Sequence, residues 1–161
     1  MSRPAPVDPS GTDLQIYDCN GLWTQIWNLP GYPTGPVSGL AGAGKCTDVD
    51  TNTPTTWNAI QLWTCSEVPG QQWTMRPDGT VRAFGKCLST QNNGTANFTP
   101  IKLLDCTGAA GRVWQPHSAS ALRNPQSHRC LDTPGGTTTD GTDLQLYDCN
   151  GLDPQKWSVP V

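Results

Sequence analysis

Residues 130–157 read CLDTPGGTTTDGTDLQLYDCNGLDPQKW, with two cysteines 19 positions apart and a tryptophan 8 positions after the second cysteine. The same spacing occurs twice upstream, and the first cysteines of successive copies are 41 to 43 residues apart. The upstream copies contain Cys46, Cys65 and Trp73, and then Cys87, Cys106 and Trp114. A fixed period of this length indicates a chain built from repeated supersecondary units. Each cysteine pair would close a loop of similar size within its own repeat.

A short strand pattern lies between the paired cysteines of each copy. Residues 60–63, 101–104 and 144–147 read IQLW, IKLL and LQLY, with apolar residues at alternate positions. Turn signals recur every few residues and helix-period patterns of useful length are absent, so the sequence predicts an all-β fold. A β-propeller with repeats near this length usually needs four or more blades, so three copies favour a closed threefold barrel instead.

The ends of the repeats carry a more specific motif. Two copies end in Gln-x-Trp, at 71–73 and 155–157, and the middle copy has a degenerate form at 112–114. Three registered endings with a cysteine pair in each repeat resemble the ricin-B-type β-trefoil lectin domain, most closely actinobacterial family-13 carbohydrate-binding modules. The resemblance implies a β-trefoil of three repeats of about 42 residues, at 37–77, 78–118 and 119–161. It also implies intra-repeat disulfides between Cys46 and Cys65, Cys87 and Cys106, and Cys130 and Cys149, above core tryptophans.

The composition favours an extracellular protein and argues against several other classes. Charged residues make up 14% of the chain and the net charge is −3, so we expect no nucleic-acid partner. No run of 18 apolar residues is present, so we expect no membrane span. Seven cysteines without a Cys-x-x-Cys pair favour disulfides in a secreted protein over a metal site, and no cofactor motif is present. His117 and His128 occupy no repeated position, so we expect no catalysis.

Two repeats combine an outward-facing amide with an outward-facing aromatic ring. Side chains alternate across a strand, so the amide and the ring at positions 61 and 63, and at 145 and 147, lie opposite the core. A ring can hold the apolar face of a sugar while a carboxylate accepts from its hydroxyls. The resemblance implies pockets made by an aspartate, these two side chains and the Gln-x-Trp glutamine, which mainly supports the others. The predicted carbohydrate-binding residues are Asp48, Gln61, Trp63 and Gln71 in repeat 1, and Asp132, Gln145, Tyr147 and Gln155 in repeat 3.

Repeat 2 keeps the positions that serve the fold and changes those that would serve a ligand. Its inward-facing residues, Ile101 and Leu103, are apolar like their counterparts. The four pocket positions hold Ser89, Lys102, Leu104 and Arg112. We therefore expect no sugar binding in repeat 2.

A partial repeat precedes the three full ones. Residues 1–30 contain a copy of residues 138–160, and a Pro/Gly-rich linker at 31–36 follows. This segment is either the tail of a preceding trefoil or a strand-swapped element, and it would make half of an extra site from Gln15, Tyr17 and Gln25. Its Cys19 has no local partner, so Cys19 could pair with Cys130, and a homodimer could form through residues 8–30 or Cys19.

These features predict a non-catalytic lectin module that binds a mono- or polysaccharide. Its ligand would be a galactose-type or plant polysaccharide sugar, and the module would be appended to a secreted glycoside hydrolase or another secreted enzyme. The alternative is a trefoil that binds a non-sugar partner or acts as an inhibitor. Such a trefoil could also form a strand-swapped oligomer.

Overall fold

The computed structural model describes residues 31–161, which form fourteen short β-strands and eight 3₁₀ turns. The predicted all-β class is confirmed for this part of the chain. Residues 8–30, with the extra-site residues Gln15, Tyr17 and Gln25 and with Cys19, lie outside the described residues. None of the helical turns within residues 31–161 is long and apolar enough to cross a membrane.

The strands follow one another at short intervals along the chain. They are β1 (Thr34–Gly35), β2 (Ser38–Gly39), β3 (Lys45–Val49), β4 (Ile60–Thr64), β5 (Trp73–Met75), β6 (Val81–Ala83), β7 (Lys86–Thr90), β8 (Ile101–Leu104), β9 (Gln115–His117), β10 (Ala121–Asn124), β11 (Arg129–Asp132), β12 (Thr142–Asp143), β13 (Gln145–Asp148) and β14 (Trp157–Ser158). The 3₁₀ turns are Leu40–Gly42, Asp50–Asn52, Pro69–Gln71, Gln91–Asn93, Ala110–Arg112, Ser118–Ser120, Pro134–Gly136 and Asp153–Gln155. The first strand, β1, lies within the predicted linker and pairs with β5.

Three sheets arise because the last strand of each repeat pairs with the first strand of the next. Strands β1, β5, β6, β7 and β8 form one sheet in this order, and β9, β10, β11 and β13 form the second. The third sheet joins repeat 3 to repeat 1, since β14 pairs with β2, which continues to β3, β4 and β12. All pairings are antiparallel, so short turns suffice as connections within each repeat. The three repeats therefore form a cyclic arrangement.

The closure between β14 and β2 depends on a glycine. Gly39 lies opposite Trp157, and a Cβ at Gly39 would be 2.4 Å from the nearest atom of the indole ring. Any larger residue at this position would clash with the aromatic ring. The absence of a side chain at Gly39 lets the last repeat seal against the first.

The tryptophans that end the repeats lie in one common core, as the sequence predicts. Trp73, Trp114 and Trp157 are all buried among the alternating apolar residues of β4, β8 and β13. Each indole Nε1 donates to a backbone carbonyl, at 3.0–3.1 Å, of the residue that follows the first cysteine of its repeat. A buried indole needs such a partner. The conserved geometry in three copies shows that these rings serve the fold.

Each repeat has one disulfide, which joins strand β3, β7 or β11 to the segment just after β4, β8 or β13. They join Cys46 to Cys65, Cys87 to Cys106 and Cys130 to Cys149, as predicted. The local pairing of Cys130 with Cys149 takes the place of the alternative pairing with Cys19. Each bond crosses a sequence separation of 19 residues.

Candidate functional site

The predicted site residues of repeats 1 and 3 come together on paired strands. In the register of β3 and β4, Asp48 lies opposite Gln61, and Trp63 lies two residues further along β4. In repeat 3, Asp132 on β11 lies opposite Gln145 on β13 in the same way. Because alternate side chains share a face of a strand, the amide and the aromatic ring emerge on the same side. We call these clusters site 1 (Asp48, Gln61, Trp63) and site 3 (Asp132, Gln145, Tyr147).

The aspartate of site 1 is held by two glutamines. Gln61 Nε2 donates to Asp48 Oδ2 at 2.9 Å, and Gln71 Nε2 donates to Asp48 Oδ1 at 3.0 Å. Gln71 also donates to the Thr64 carbonyl at 3.1 Å and accepts from the Ser66 amide at 2.7 Å. The carboxylate is thereby fixed in orientation, and the loop after β4 is tied to it.

Site 3 has the same network atom for atom. Gln145 Nε2 donates to Asp132 Oδ2 at 2.9 Å, and Gln155 Nε2 donates to Asp132 Oδ1 at 3.1 Å. Gln155 also bonds the Asp148 carbonyl and the Asn150 amide, each at 2.9 Å. Two repeats that differ in most loop residues therefore build one polar arrangement twice.

Burial separates the predicted residues into two groups. Gln71 and Gln155 have no exposed surface, so they lie behind the aspartates and position them. Trp63 is 43% exposed and Tyr147 is half-buried, so the rings stand at the surface. Each aspartate is buried except for about a twentieth of its surface. A ligand would meet the ring first and then the carboxylate at the floor.

The two aspartates keep unused capacity to accept hydrogen bonds. An ionised carboxylate has about four acceptor positions, and two are taken by neutral amides at each site. Among residues 31–161, neither aspartate forms an ion pair with a basic side chain. Burial raises the pKa of the Asp132 carboxyl, while the hydrogen bonds from Gln145 and Gln155 lower it. The pKa is raised overall because desolvation outweighs these two hydrogen bonds, and the carboxylate keeps free acceptor positions that the hydroxyls of a ligand would fill.

Repeat 2 shows which part of this network serves the fold alone. Ser89 replaces the aspartate, is fully buried, and donates to the Thr90 carbonyl at 3.1 Å. Leu104 replaces the ring and is buried. Arg112 Nε still donates to the Asp105 carbonyl at 2.7 Å, the contact that Gln71 and Gln155 make in the other repeats. Repeat 2 therefore keeps the hydrogen bond that holds the segment after β8, but it lacks the pocket with a carboxylate.

Replacing Gln155 with alanine should lower the free energy of unfolding by about 1–3 kcal/mol, because buried groups then lose hydrogen-bond partners. Carbohydrate binding at site 3 should weaken as well, because Asp132 loses one of its two orienting donors. Arg112→Ala is the matched control, since it removes the same loop contact from a repeat in which Ser89 replaces the pocket aspartate. Urea unfolding and retention on a polysaccharide gel measure the two effects. Equal loss of retention in both variants would contradict the positioning role.

Each site is bordered by a loop of the preceding repeat, which the sequence analysis missed. Strand β12 of repeat 3 pairs with β4 of repeat 1 and brings Gly141 beside Trp63. At site 3, the ring of Phe98 from repeat 2 lies 5.4 Å from the ring of Tyr147. Both loop residues stand eleven positions after the first cysteine of their repeat. That shared register was a usable signal, but it does not show that the loop reaches the neighbouring repeat.

Comparison with protein families gives a match over nearly all of the described residues. The family described as "Ricin-type beta-trefoil lectin domain" matches residues 33–157. A glucan endo-1,3-beta-glucosidase from Arthrobacter sp. (strain YCWD3) is 44% identical over 79 residues, which are 48% of this chain and 14% of that protein. A protein of the same name from Cellulosimicrobium cellulans is 44% identical over 85 residues, or 47% and 16% of the two chains. The chain thus spans less than a fifth of these relatives.

Solved structures confirm the predicted β-trefoil fold. The agglutinin from Abrus precatorius is similar with a TM-score of 0.73 and 28% identity, over 84% of this chain and 51% of that one. A non-toxic homologue of type II RIPs from Momordica charantia, in complex with α-methyl-D-galactoside, has a TM-score of 0.70 and 26% identity. That comparison covers 81% of this chain and 48% of the other.

Proposed function

Because the chain belongs to the ricin-type β-trefoil lectin family, we propose that it is a non-catalytic carbohydrate-binding module with working sites in repeats 1 and 3. The observation that carries this proposal is the duplicated network of one aspartate and two glutamines below an exposed ring. Its loss from repeat 2, where the core is retained, supports a role in ligand binding. A purely structural network would have been needed in all three repeats.

Each part of the site has a chemical counterpart in a sugar. The apolar face of a pyranose stacks on the ring of Trp63 or Tyr147, as other amphipathic ligands do on aromatic rings. Adjacent hydroxyls donate to the free acceptor positions of Asp48 or Asp132. The strand glutamine uses its Nε2 to hold the aspartate, so its Oε1 remains as a further acceptor. The buried Gln71 and Gln155 take part only by positioning the carboxylates.

The expected affinity of one site is low. A monosaccharide has about twelve non-hydrogen atoms, and about −0.3 kcal/mol per atom gives a dissociation constant near millimolar. A shallow site of this kind retains a polysaccharide well only when both sites bind at once, because the second event is then intramolecular. Duplication of the site on one rigid fold supports a polymeric ligand.

The proposed ligands are galactose-type sugars or plant polysaccharides. A structural relative was solved with α-methyl-D-galactoside, and sequence relatives are named for hydrolysis of 1,3-β-glucan. We propose that the module accompanies a secreted glycoside hydrolase or another secreted enzyme, since the matched region is a small part of those relatives. Three disulfides fit an oxidising compartment outside the cell.

Affinity electrophoresis tests this proposal directly. The chain is run through native gels that contain galactan, arabinoxylan or laminarin, a 1,3-β-glucan, with a gel lacking polysaccharide as control. We expect slower migration in at least one polysaccharide gel and release by the corresponding free oligosaccharide. Unchanged migration in all of them, together with a blank glycan array, would favour the alternative of a non-sugar interaction or inhibitor trefoil.

A further inference from the structure

The loop that precedes the third strand has one equivalent position in each repeat. Eleven residues after the first cysteine stand Trp57, Phe98 and Gly141. The backbone amide of each donates at 2.8 Å to a carbonyl on β8, β13 or β4 of the following repeat. Repeat 1 follows repeat 3 in the cyclic arrangement. All three residues have a positive φ, of 77°, 71° and 84°. The loop therefore reaches across the repeat boundary in the same way three times.

Phe98, like Trp57, is a bulky aromatic residue at this position. A positive φ strains a bulky L-residue, whereas Gly141 adopts it without strain. The ring of Phe98 is also 67% exposed, so burial in the core does not offset that strain. Gly141 demonstrates that the fold accepts a glycine here. Trp57 shares both the positive φ and the exposure, so the feature that distinguishes Phe98 is its contact with the ring of Tyr147.

Phe98 is held against the aromatic ring of site 3. The centroids of Phe98 and Tyr147 are 5.4 Å apart with an interplanar angle of 61°, an edge-to-face pair. The neighbouring Asn97 donates to Asp148 Oδ2 at 3.0 Å and accepts from Arg129 Nε at 2.6 Å. Backbone and side-chain bonds thus fix the loop beside β13. The two rings form one continuous apolar surface that crosses the boundary between repeats 2 and 3.

The other two repeats lack this surface. At site 1 the loop residue is Gly141, so Trp63 stands without an aromatic neighbour from the loop. At repeat 2 the loop residue is Trp57, but the strand residue below it is the buried Leu104. Within residues 31–161, only Phe98 and Tyr147 form an aromatic pair. Sites 1 and 3 therefore share the arrangement of aspartate and glutamines and differ in the apolar residues beside the aromatic ring.

We propose that Phe98 is a further sugar-contacting residue of site 3 and sets its specificity for chain length. The ring extends the stacking surface beyond the sugar on Tyr147, so a second sugar unit packs against Phe98. Site 3 then prefers a disaccharide or longer chain, and site 1 binds a single ring. This inference rests on the proposed carbohydrate-binding function.

The test uses the full chain with Trp63→Ala, which leaves site 3 as the binding site. Phe98→Gly is added because Gly141 shows that glycine suits this backbone, so the variant should fold with undiminished stability. Calorimetric titration compares galactose with galactotriose, xylose with xylotriose, and glucose with laminaritriose. We expect Phe98→Gly to weaken binding of the favoured trisaccharide about threefold to tenfold and that of its monosaccharide less than about twofold.

Two outcomes would overturn the inference. Unchanged trisaccharide affinity means that Phe98 does not touch the ligand, and equal losses for both sugar lengths mean that it only positions Tyr147. Asp132→Asn in the same background separates these results from a failure of the proposed function. If Asp132→Asn removes binding and Phe98→Gly leaves it intact, only the chain-length inference fails. If neither variant alters binding, site 3 itself is wrong.

Discussion

A variant that carries both Trp63→Ala and Tyr147→Ala should run unretarded in a polysaccharide gel that retards the parent chain. Each change removes the exposed ring on which a sugar would stack while leaving the buried network of glutamines and aspartate intact. Each single variant should keep one site and lose the gain from bivalent binding, which is on the order of 10² to 10⁴ in apparent affinity. The double variant should lose both sites. Affinity electrophoresis measures all three proteins side by side.

The matched control for this experiment is Trp57→Ala. Trp57 is as exposed as Trp63, with 52% against 43% of its surface accessible, but it lies over repeat 2, where Ser89 replaces the pocket aspartate. Its removal should leave retention unchanged. Full retention of a folded double variant, or a loss of retention with Trp57→Ala as large as with Trp63→Ala, would refute the assignment of sites 1 and 3.

Replacing Cys87 and Cys106 together with alanine should lower the free energy of unfolding by about 3 kcal/mol. The disulfide closes a loop across 19 residues, and on the chain-entropy model its removal frees the unfolded chain to that extent. A loss of this size is a large share of the 5–15 kcal/mol typical of a domain, yet the fold should survive. Urea unfolding monitored by tryptophan fluorescence measures the difference.

Repeat 2 is the informative place for that change because we expect it to bind no sugar. Retention on a polysaccharide gel should therefore stay close to that of the parent chain under conditions where the variant is folded. Cys19→Ser, a change in the partial repeat that precedes the trefoil, serves as the control for replacing a cysteine. A loss below about 1 kcal/mol would contradict the entropic account of this bond.

The sequence was sufficient for the features that recur with a fixed spacing. The cysteine pairs and the terminal tryptophans stand at equal distances in each copy, so their shared roles as disulfides and core residues could be predicted without coordinates. Strand alternation also placed Gln61 and Trp63 on the face away from the core. The comparison of repeats indicated that positions such as Ser89 and Leu104 had lost a pocket. These are local properties, since a strand's period and a repeat's spacing are written along the chain.

Only the tertiary structure decided which parts of different repeats meet. It supplied the geometry for the supporting role that the resemblance implied for Gln71 and Gln155, since both are fully buried and donate to their aspartates. It set Phe98 against Tyr147 and left Gly141 beside Trp63. The two sites therefore share one network of aspartate and glutamines but have different apolar neighbours. The physical reason is that these contacts depend on how the ring of three repeats closes, through pairings between residues that are distant along the chain. The repeat pattern specifies the structure of each repeat, and the closed fold determines which residues of the neighbouring repeat contact its site.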